Sequence, residues 1–439
     1  MNILLINPPI YDFAAYDLWS KPLGLLYLAS ILQKQGNKAV LLDYMDRNFF
    51  GIKNKSNIYG CGHYVKTKIV KPEALKHIPR NYSRYGLSKE LAFNWLKAQS
   101  APDLIIVTSV MTYWYPGVLE AIETAKSVFP CVPVILGGAY AALCYEHARL
   151  NSKADIVLKG SLFSLNTIFK DLHIPAEIPK DFRDFPTPYY FNGGNYLNSY
   201  AVLRVSQGCP FHCSYCAQDI LSNGLFSYKP TETVFREIKD FADKGIKNIV
   251  FYDDALLYNC DAIIKPLLRK IIEAKLNINI HTPNGLHLRY LDLELAKLMK
   301  KANFICPRFS LETANAAIQK STGAKITNEV FEEKAAILKQ AGFKNGEFII
   351  YLLMGIPEQT LKDVEESIKY VHSFGGKVSL SEYSYIPQTK DFENAPQIYK
   401  DEPLLHNKSA YPSYNIKDLP EIYRIKNLAI TLNSLLACN

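Results

Sequence analysis

Apolar and polar positions along this chain alternate with two different periods. Short runs of Leu, Ile and Val are separated by longer stretches in which apolar residues recur every three or four positions, the pattern of strands alternating with amphipathic helices. In the first part of the chain it predicts strands over Asn2–Ile6, Lys38–Asp43, Leu104–Thr108, Val132–Leu136 and Ile156–Lys159. Helices are predicted over Pro22–Gln35, stopped by Gly36, and over Pro116–Val128 and Tyr140–Leu150. Strands this uniformly apolar are covered on both faces, so the expectation is α/β architecture with a Rossmann-like parallel sheet. Pro175, Pro179, Pro186 and Pro188 then mark a linker.

A second series of six strand-helix units begins at Ala201. Its strands are expected at Val202–Ser206, Asn248–Tyr252, Ile278–His281, Ile305–Leu311, Phe348–Leu353 and Val378–Tyr383. Helices such as Glu232–Asp243, Leu291–Lys301, Val330–Gln340 and Lys362–Phe374 separate them. Six units fall short of the eight in a closed barrel, so a partial (β/α)6 barrel is expected, with the residues just after each strand lining the site. The domain reading is 1–165 for the first sheet, 166–195 for the linker, 196–390 for the barrel and 391–439 for a C-terminal extension with one closing helix, Ile422–Leu436.

Composition narrows the class. A chain of 439 residues is more than one hydrophobic core usually organises, and 48% hydrophobic with 21% charged residues excludes a disordered or fibrous protein. The longest apolar stretches, Leu23–Leu32 and Phe348–Met354, fall short of the roughly 18 to 20 residues needed to cross a bilayer. The opening Met1-Asn2-Ile3-Leu4-Leu5 reads as a buried strand rather than a signal peptide, so the protein is expected in the cytoplasm. There, nine cysteines point to thiol or metal chemistry rather than to disulfides. No RNA-binding domain stands out, and nucleic acid is not indicated as a partner.

Directly after the first strand of the second series comes Gly208-Cys209-Pro210-Phe211-His212-Cys213-Ser214-Tyr215-Cys216. Three thiolates on one tight loop can each bind a different iron of a 4Fe-4S cube and leave the fourth iron open. A zinc site is the bland alternative, but zinc usually takes a paired set of four ligands, and no second Cys-x-x-Cys or His-x-x-x-His occurs.

The pattern Cys209-x-x-x-Cys213-x-x-Cys216 at the first strand of a partial barrel, with Tyr215 before the last cysteine, resembles the signature of radical S-adenosylmethionine (SAM) enzymes. The resemblance implies that the three cysteines hold the cluster and that the methionine end of SAM chelates the open iron. It places Asp253 and Asp254, where the family commonly has Gly-Gly-Glu, at the SAM ammonium. It places Ser310 and Glu312 at the ribose and carboxylate. The segment Met354–Glu358, with Gly355 and Pro357, would pack on adenine together with Tyr215. Arg289 and His281 either face the same cavity or serve the fold. A reducing electron donor of flavodoxin or ferredoxin type is implied as partner.

The first domain carries no Gly-x-Gly-x-x-Gly turn after its first strand, where Asn7-Pro8-Pro9 stands instead. Ser109 after the third strand and Gly137-Gly138 after the fourth resemble the slot that takes the nucleotide tail in cobalamin-binding domains. The loop Asn7–Tyr16 has no histidine to act as a lower cobalt ligand, as in the cobalamin-binding (class B) subgroup of radical SAM enzymes. The alternative is a domain of the same fold that binds nothing.

These resemblances imply a cobalamin-dependent radical SAM methyltransferase acting on an unactivated carbon. A radical SAM rearrangement, cyclisation or oxidation without methyl transfer is the second reading, and a non-catalytic corrinoid or iron-sulfur sensor is a third. Methylthiotransferases share the radical SAM core but carry three further clustered cysteines, whereas Cys61, Cys131 and Cys144 are scattered here, as are Cys260, Cys306 and Cys438.

The formal charge of +8 belongs to one segment. Residues 51–100 hold ten Lys and Arg against Glu73 and Glu90, which leaves the rest of the chain neutral. The same segment carries Tyr59, Cys61, His63, Tyr64, Tyr82 and Tyr85. It is either a solvated insertion or a basic, aromatic lid that meets an anionic substrate or electron donor.

Overall fold

The structure, a computed structural model, describes residues 1–48, 55–188, 200–412 and 416–436. Lys53, Cys438 and the end of the expected linker lie outside these residues. Two compact units form: Met1–Ser199 with Pro396–His406, and Tyr200–Ala395 with Asn407–Asn439.

In the first unit five parallel strands run in the spatial order Ile156–Val157, Val134–Leu136, Leu104–Val107, Asn2–Asn7, Lys38–Asp43. The strand order reverses between the first and third strands, and in sheets of this kind ligands bind outside the carboxyl ends at such a switch point. The apolar runs are buried as expected: Leu5, Ile6, Ile105 and Val107 are inaccessible to solvent. The expected helix Tyr140–Leu150 is broken at Cys144 into Ala139–Leu143 and Tyr145–Asn151.

The basic segment is built into this unit rather than merely inserted. Tyr82–Tyr85 pairs antiparallel with both Ile10–Asp12 and Lys66–Ile69, and a helix that the sequence reading missed spans Lys89–Lys97. Tyr64, Tyr82, Tyr85 and Cys61 are buried and Tyr59 is half-buried, while His63, Lys66 and Lys68 are exposed. Tyr82 and Tyr85, three positions apart, point to opposite faces of their strand and both are covered, while the paired strand Lys66–Ile69 is mostly exposed. The aromatic half of the lid expectation is thus a core. Arg84 anchors it, forking onto Glu120 at 2.5 and 2.9 Å, with the Tyr11 hydroxyl donating to the same carboxylate at 2.5 Å.

The proline-rich stretch is also packed. Ile174, Ile178, Phe182 and Phe185 are buried, and Phe182 and Phe185 stand edge-on to Tyr27 of the helix Leu23–Lys34. Nor is the C-terminal extension a single appendage. Residues Pro396–His406 belong to the first unit, where Leu405 is inaccessible and the His406 ring bonds Thr112 Oγ1 at 2.9 Å.

The second unit holds two three-stranded parallel sheets, Tyr200–Leu203, Asn248–Phe251, Asn279–His281 and Arg308–Glu312, Ile349–Met354, Lys377–Glu382. Single parallel bridges Ile280–Phe304 and Leu286–Phe309 join them, so the six strands run in chain order around a partial barrel. The helix Leu419–Leu435 closes the far side through Asn433, whose side chain bonds both the N–H and the carbonyl of Val378.

Removing one partner of the buried Arg84–Glu120 pair strands the other charge. Glu120→Leu is expected to cost about 3 to 5 kcal/mol of stability, and Arg84→Leu with Glu120→Leu much less. Denaturant midpoints of the single and double variants check this, and an equal loss in both would contradict it.

Candidate functional site

The cysteine loop hangs from a narrow hairpin. Ser206–Gln207 pairs antiparallel with Ser227–Tyr228, and Gly208 follows with φ +88°. A Cβ there would lie 1.9 Å from the Leu225 carbonyl oxygen, so only glycine lets the chain enter the loop. Asp253, at the end of the neighbouring strand, accepts from the Ser206 N–H at 2.5 Å, from its hydroxyl at 2.7 Å and from the Val205 N–H at 3.1 Å. Burial holds its carboxyl up, to about 6.

The Phe211 N–H, the Tyr215 phenol and the Gln218 N–H favour the charged forms of Cys209, Cys213 and Cys216 respectively. Burial raises all three thiols, Cys216 to about 12, so the free thiolates are disfavoured until a metal takes their charge. The sulfurs do not all lie within 4.8 Å of one another. Three ligands at about 2.3 Å from a single zinc would sit closer than that. Three thiols on one loop are a donor set that fits a 4Fe-4S cluster with one iron left open.

The other expected site residues gather around this loop to different degrees. Asp254 accepts from Gln218 Nε2 at 2.8 Å, with the Arg204 guanidinium 3.8 Å away. Glu312 has φ +70° at a bulge of its strand and pairs with Lys325 at 3.4 Å. Its charge bears on Tyr215 and Cys213. Ser310 packs against Gly285, where a Cβ would meet its oxygen at 2.0 Å. Gly355 turns with φ +98° under the Tyr411 ring, and Gln359 Oε1 accepts its N–H at 2.8 Å, while Pro357 is exposed.

Other residues singled out in the sequence have partners within the fold. Asp253 is engaged by the root of the cysteine loop, a buried carboxylate at a strand end that satisfies backbone N–H groups. Tyr215 directs its hydroxyl to Cys213. His281 bonds Asn248 Oδ1 at 3.0 Å and is pushed down to about 3 by burial, a role in the fold. Arg289 lies beside the loop, 5.9 Å from the Phe211 ring, and donates to the Ala324 carbonyl at 2.8 Å. Lys325 and His287, stacked on Phe211 at 4.6 Å, are neighbours that sequence reasoning missed. They come from connections with no motif of their own.

In the first unit Ser109 Oγ donates to the Gly137 carbonyl at 2.8 Å and accepts from the Tyr140 N–H at 3.0 Å. The 28-residue spacing thus does bring these loops together. Gly138, with φ +87°, would place a Cβ 2.2 Å from the Ser109 carbonyl, so its own chain demands glycine. Gly137 has room for a methyl group 3.5 Å from Leu158 Cδ2, so packing gives no reason for glycine there. Val110 and Met111 are exposed at the same carboxyl edge, and the buried Ser161 Oγ has no hydrogen-bond partner.

The profile of the radical SAM superfamily matches residues 203–371. This segment is a radical SAM domain. The chain is 28% identical over 319 residues to an uncharacterized methyltransferase, PH0819, of Pyrococcus horikoshii, covering 65% of this chain and 68% of that protein. It is 24% identical over 302 residues to the threonylcarbamoyladenosine tRNA methylthiotransferase MtaB of Aquifex aeolicus, covering 64% and 70%. Cytidylyl-2-hydroxyethylphosphonate methyltransferase of Streptomyces wedmorensis is 21% identical over 441 residues, covering 85% and 77%. Among solved structures, the radical SAM methyltransferase TsrM of Kitasatospora setae, with cobalamin and a 4Fe-4S cluster bound, superimposes with a TM-score of 0.64 at 15% identity, over 89% of this chain and 76% of that one. The cobalamin-dependent SAM radical enzyme OxsB gives 0.57 at 13% identity, over 92% of this chain but 56% of its own. The chain therefore has the fold of the cobalamin-dependent radical SAM enzymes, and no helix among the described residues is long and apolar enough to cross a membrane.

The Gly208 contact makes a local prediction. Gly208→Ala should lose most of the iron bound on anaerobic reconstitution, whereas Gly245→Ala, at a similar φ but with open space around it, should cost only about 1 kcal/mol and keep its iron. Iron analysis with circular dichroism on both variants checks this.

Proposed function

We propose that this protein is a cobalamin-dependent radical SAM methyltransferase that acts on an unactivated carbon. The observation that carries the reading is the cysteine loop, three desolvated sulfurs on one turn inside a segment that matches the radical SAM superfamily. When bound, the cluster and SAM supply the radical that removes a substrate hydrogen, and cobalamin supplies the methyl group.

The chain's own residues would divide the work. Cys209, Cys213 and Cys216 hold iron, and the hairpin below Gly208 keeps them on one side. Asp254, Ser310 and Glu312 orient SAM, with the turn at Gly355 and Pro357 beside it. Glu312 has the geometry for this because its left-handed backbone at the strand bulge turns the carboxylate toward the loop.

In the first unit Gly137, Ser161 and the exposed Val110 and Met111 fit an apolar ring system with a polar tail. Ser109 and Gly138 shape that slot by tying the two loops together. The loop Asn7–Tyr16 offers no imidazole to cobalt. Both TsrM and OxsB, which share the fold, are described with cobalamin bound, and two of the three relatives are methyltransferases. A flavodoxin or ferredoxin type donor in the cytoplasm would supply the electron.

The methylthiotransferase relative has less support from this chain's cysteines. Cys131 precedes the Val134–Leu136 strand and so lies at its amino end, away from the loops at the carboxyl edge, while Cys61 is buried in the basic segment.

Reduced, reconstituted protein with its substrate is expected to release 5′-deoxyadenosine and S-adenosylhomocysteine in equal amounts, measured by mass spectrometry. Turnover that makes deoxyadenosine alone would remove the methyl step. For the corrinoid, Gly137→Ala is expected to fold normally and weaken cobalamin binding by about tenfold, roughly 1.4 kcal/mol. Unchanged binding would leave the first unit without this role.

A further inference from the structure

Residues Thr322–Lys325 form a clasp over the cysteine loop. The Ser214 N–H donates to the Thr322 carbonyl at 3.4 Å, and Arg289 holds the Ala324 carbonyl at 2.8 Å. Gly323 and Ala324 are both left-handed, with φ +115° and +49°, and a Cβ on Gly323 would lie 3.6 Å from the Cys213 Cα. Two left-handed residues in a row reverse the chain sharply and deliver Lys325 to the inner side of the clasp.

The Lys325 side chain is 14% exposed, and Glu312, 3.4 Å away, is its ion-pair partner. The ammonium charge acts on Cys209, Cys213 and Cys216 together, and on His287 behind Phe211. Glu312 opposes it at Cys213. A buried ion pair is by itself weak evidence of a stabilising role, because the desolvation of both charges offsets their attraction.

The geometry points to Lys325 as the residue that sets the reduction potential of the iron-sulfur cluster, a role that rests on the radical SAM reading above. A 4Fe-4S cube with a 2+ core and three thiolates carries one net negative charge. One-electron reduction by a low-potential donor brings it to two. A fixed cation nearby stabilises the second state more than the first and raises the potential, by more in a site shielded from water than at the surface. Glu312 lowers it in the same way, so the pair works as an adjustable charge rather than as a strut. Lys325 is a positioning residue in this sense, acting through the cluster.

The test is an anaerobic redox titration of the reconstituted full chain without SAM, with dithionite as reductant and the reduced cluster read by electron paramagnetic resonance. Lys325→Met is expected to lower the ratio of reduced to oxidised cluster at a fixed potential by about tenfold, a shift of about 59 mV for one electron. Lys325→Arg should stay near the parent, and Glu312→Gln should shift the other way. Opposite shifts from the two halves of one ion pair are not what loss of folding produces. An unchanged potential in Lys325→Met overturns the inference. Should that variant fail to assemble a cluster, a Glu312→Gln shift that is absent or downward overturns it equally. Absence of any 4Fe-4S signal in the parent protein would instead overturn the radical SAM reading.

Discussion

Three sulfur atoms drawn out of water onto one turn constrain the whole second unit. Desolvation alone makes this arrangement unfavourable, and every element that touches the loop compensates for it. Asp253 fixes Val205 and Ser206 at the loop's root, Asp254 takes the Gln218 amide, and the Gly208–Leu225 contact closes the hairpin. The clasp at Thr322–Lys325 covers the loop from a different connection and brings the compensating cation. The barrel supplies rigid strand ends from which these groups converge. That convergence explains why the site draws on residues spread from Arg204 to Pro357 over several strand ends and loops.

The first unit follows a different logic, in which charge and apolar surface are segregated. The excess of Lys and Arg in residues 51–100 gives the impression of a polar insertion, yet its strands present Tyr82 and Tyr85 to the interior and its Arg84 is locked onto Glu120. A basic surface carried on a packed sheet keeps its charges at fixed positions, which a mobile tail would not. Ser109 and Gly138 likewise act within the chain, holding two loops at the sheet's carboxyl edge, and leave Gly137 and Ser161 as the groups whose form the chain itself does not explain.

Much of this was legible in the sequence because it rests on local periodicity and one dense motif. Both strand series, the order of the units and the three cysteines follow from short windows of residues. What was not legible depends on long-range partners. Asp253 and Asp254 are adjacent and chemically identical, and only the fold shows that one serves Ser206 while the other lies nearer the loop with Gln218 and Arg204. The return of Pro396–His406 to the first unit rests on where Leu405 and His406 find cover, which no window around them reveals. Lys325 has no motif around it, and a charge in a loop reads as solvated unless its neighbours are known.

The two glycines after the fourth strand show how far such reading can be pushed. Side by side in sequence, they have the same apparent meaning as a place where a bulky group approaches the backbone. The structure separates them: Gly138 is required by the Ser109 carbonyl and would be glycine with or without a ligand, whereas Gly137 has space for a side chain that it lacks. A paired-glycine motif is therefore two statements, one about folding and one about binding, and only the second bears on function. The same division applies at the cysteine loop, where Gly208 is demanded by Leu225 while Cys209, Cys213 and Cys216 accept a desolvation that folding alone would avoid. Residues that the fold does not explain are where the chemistry of this chain is to be sought.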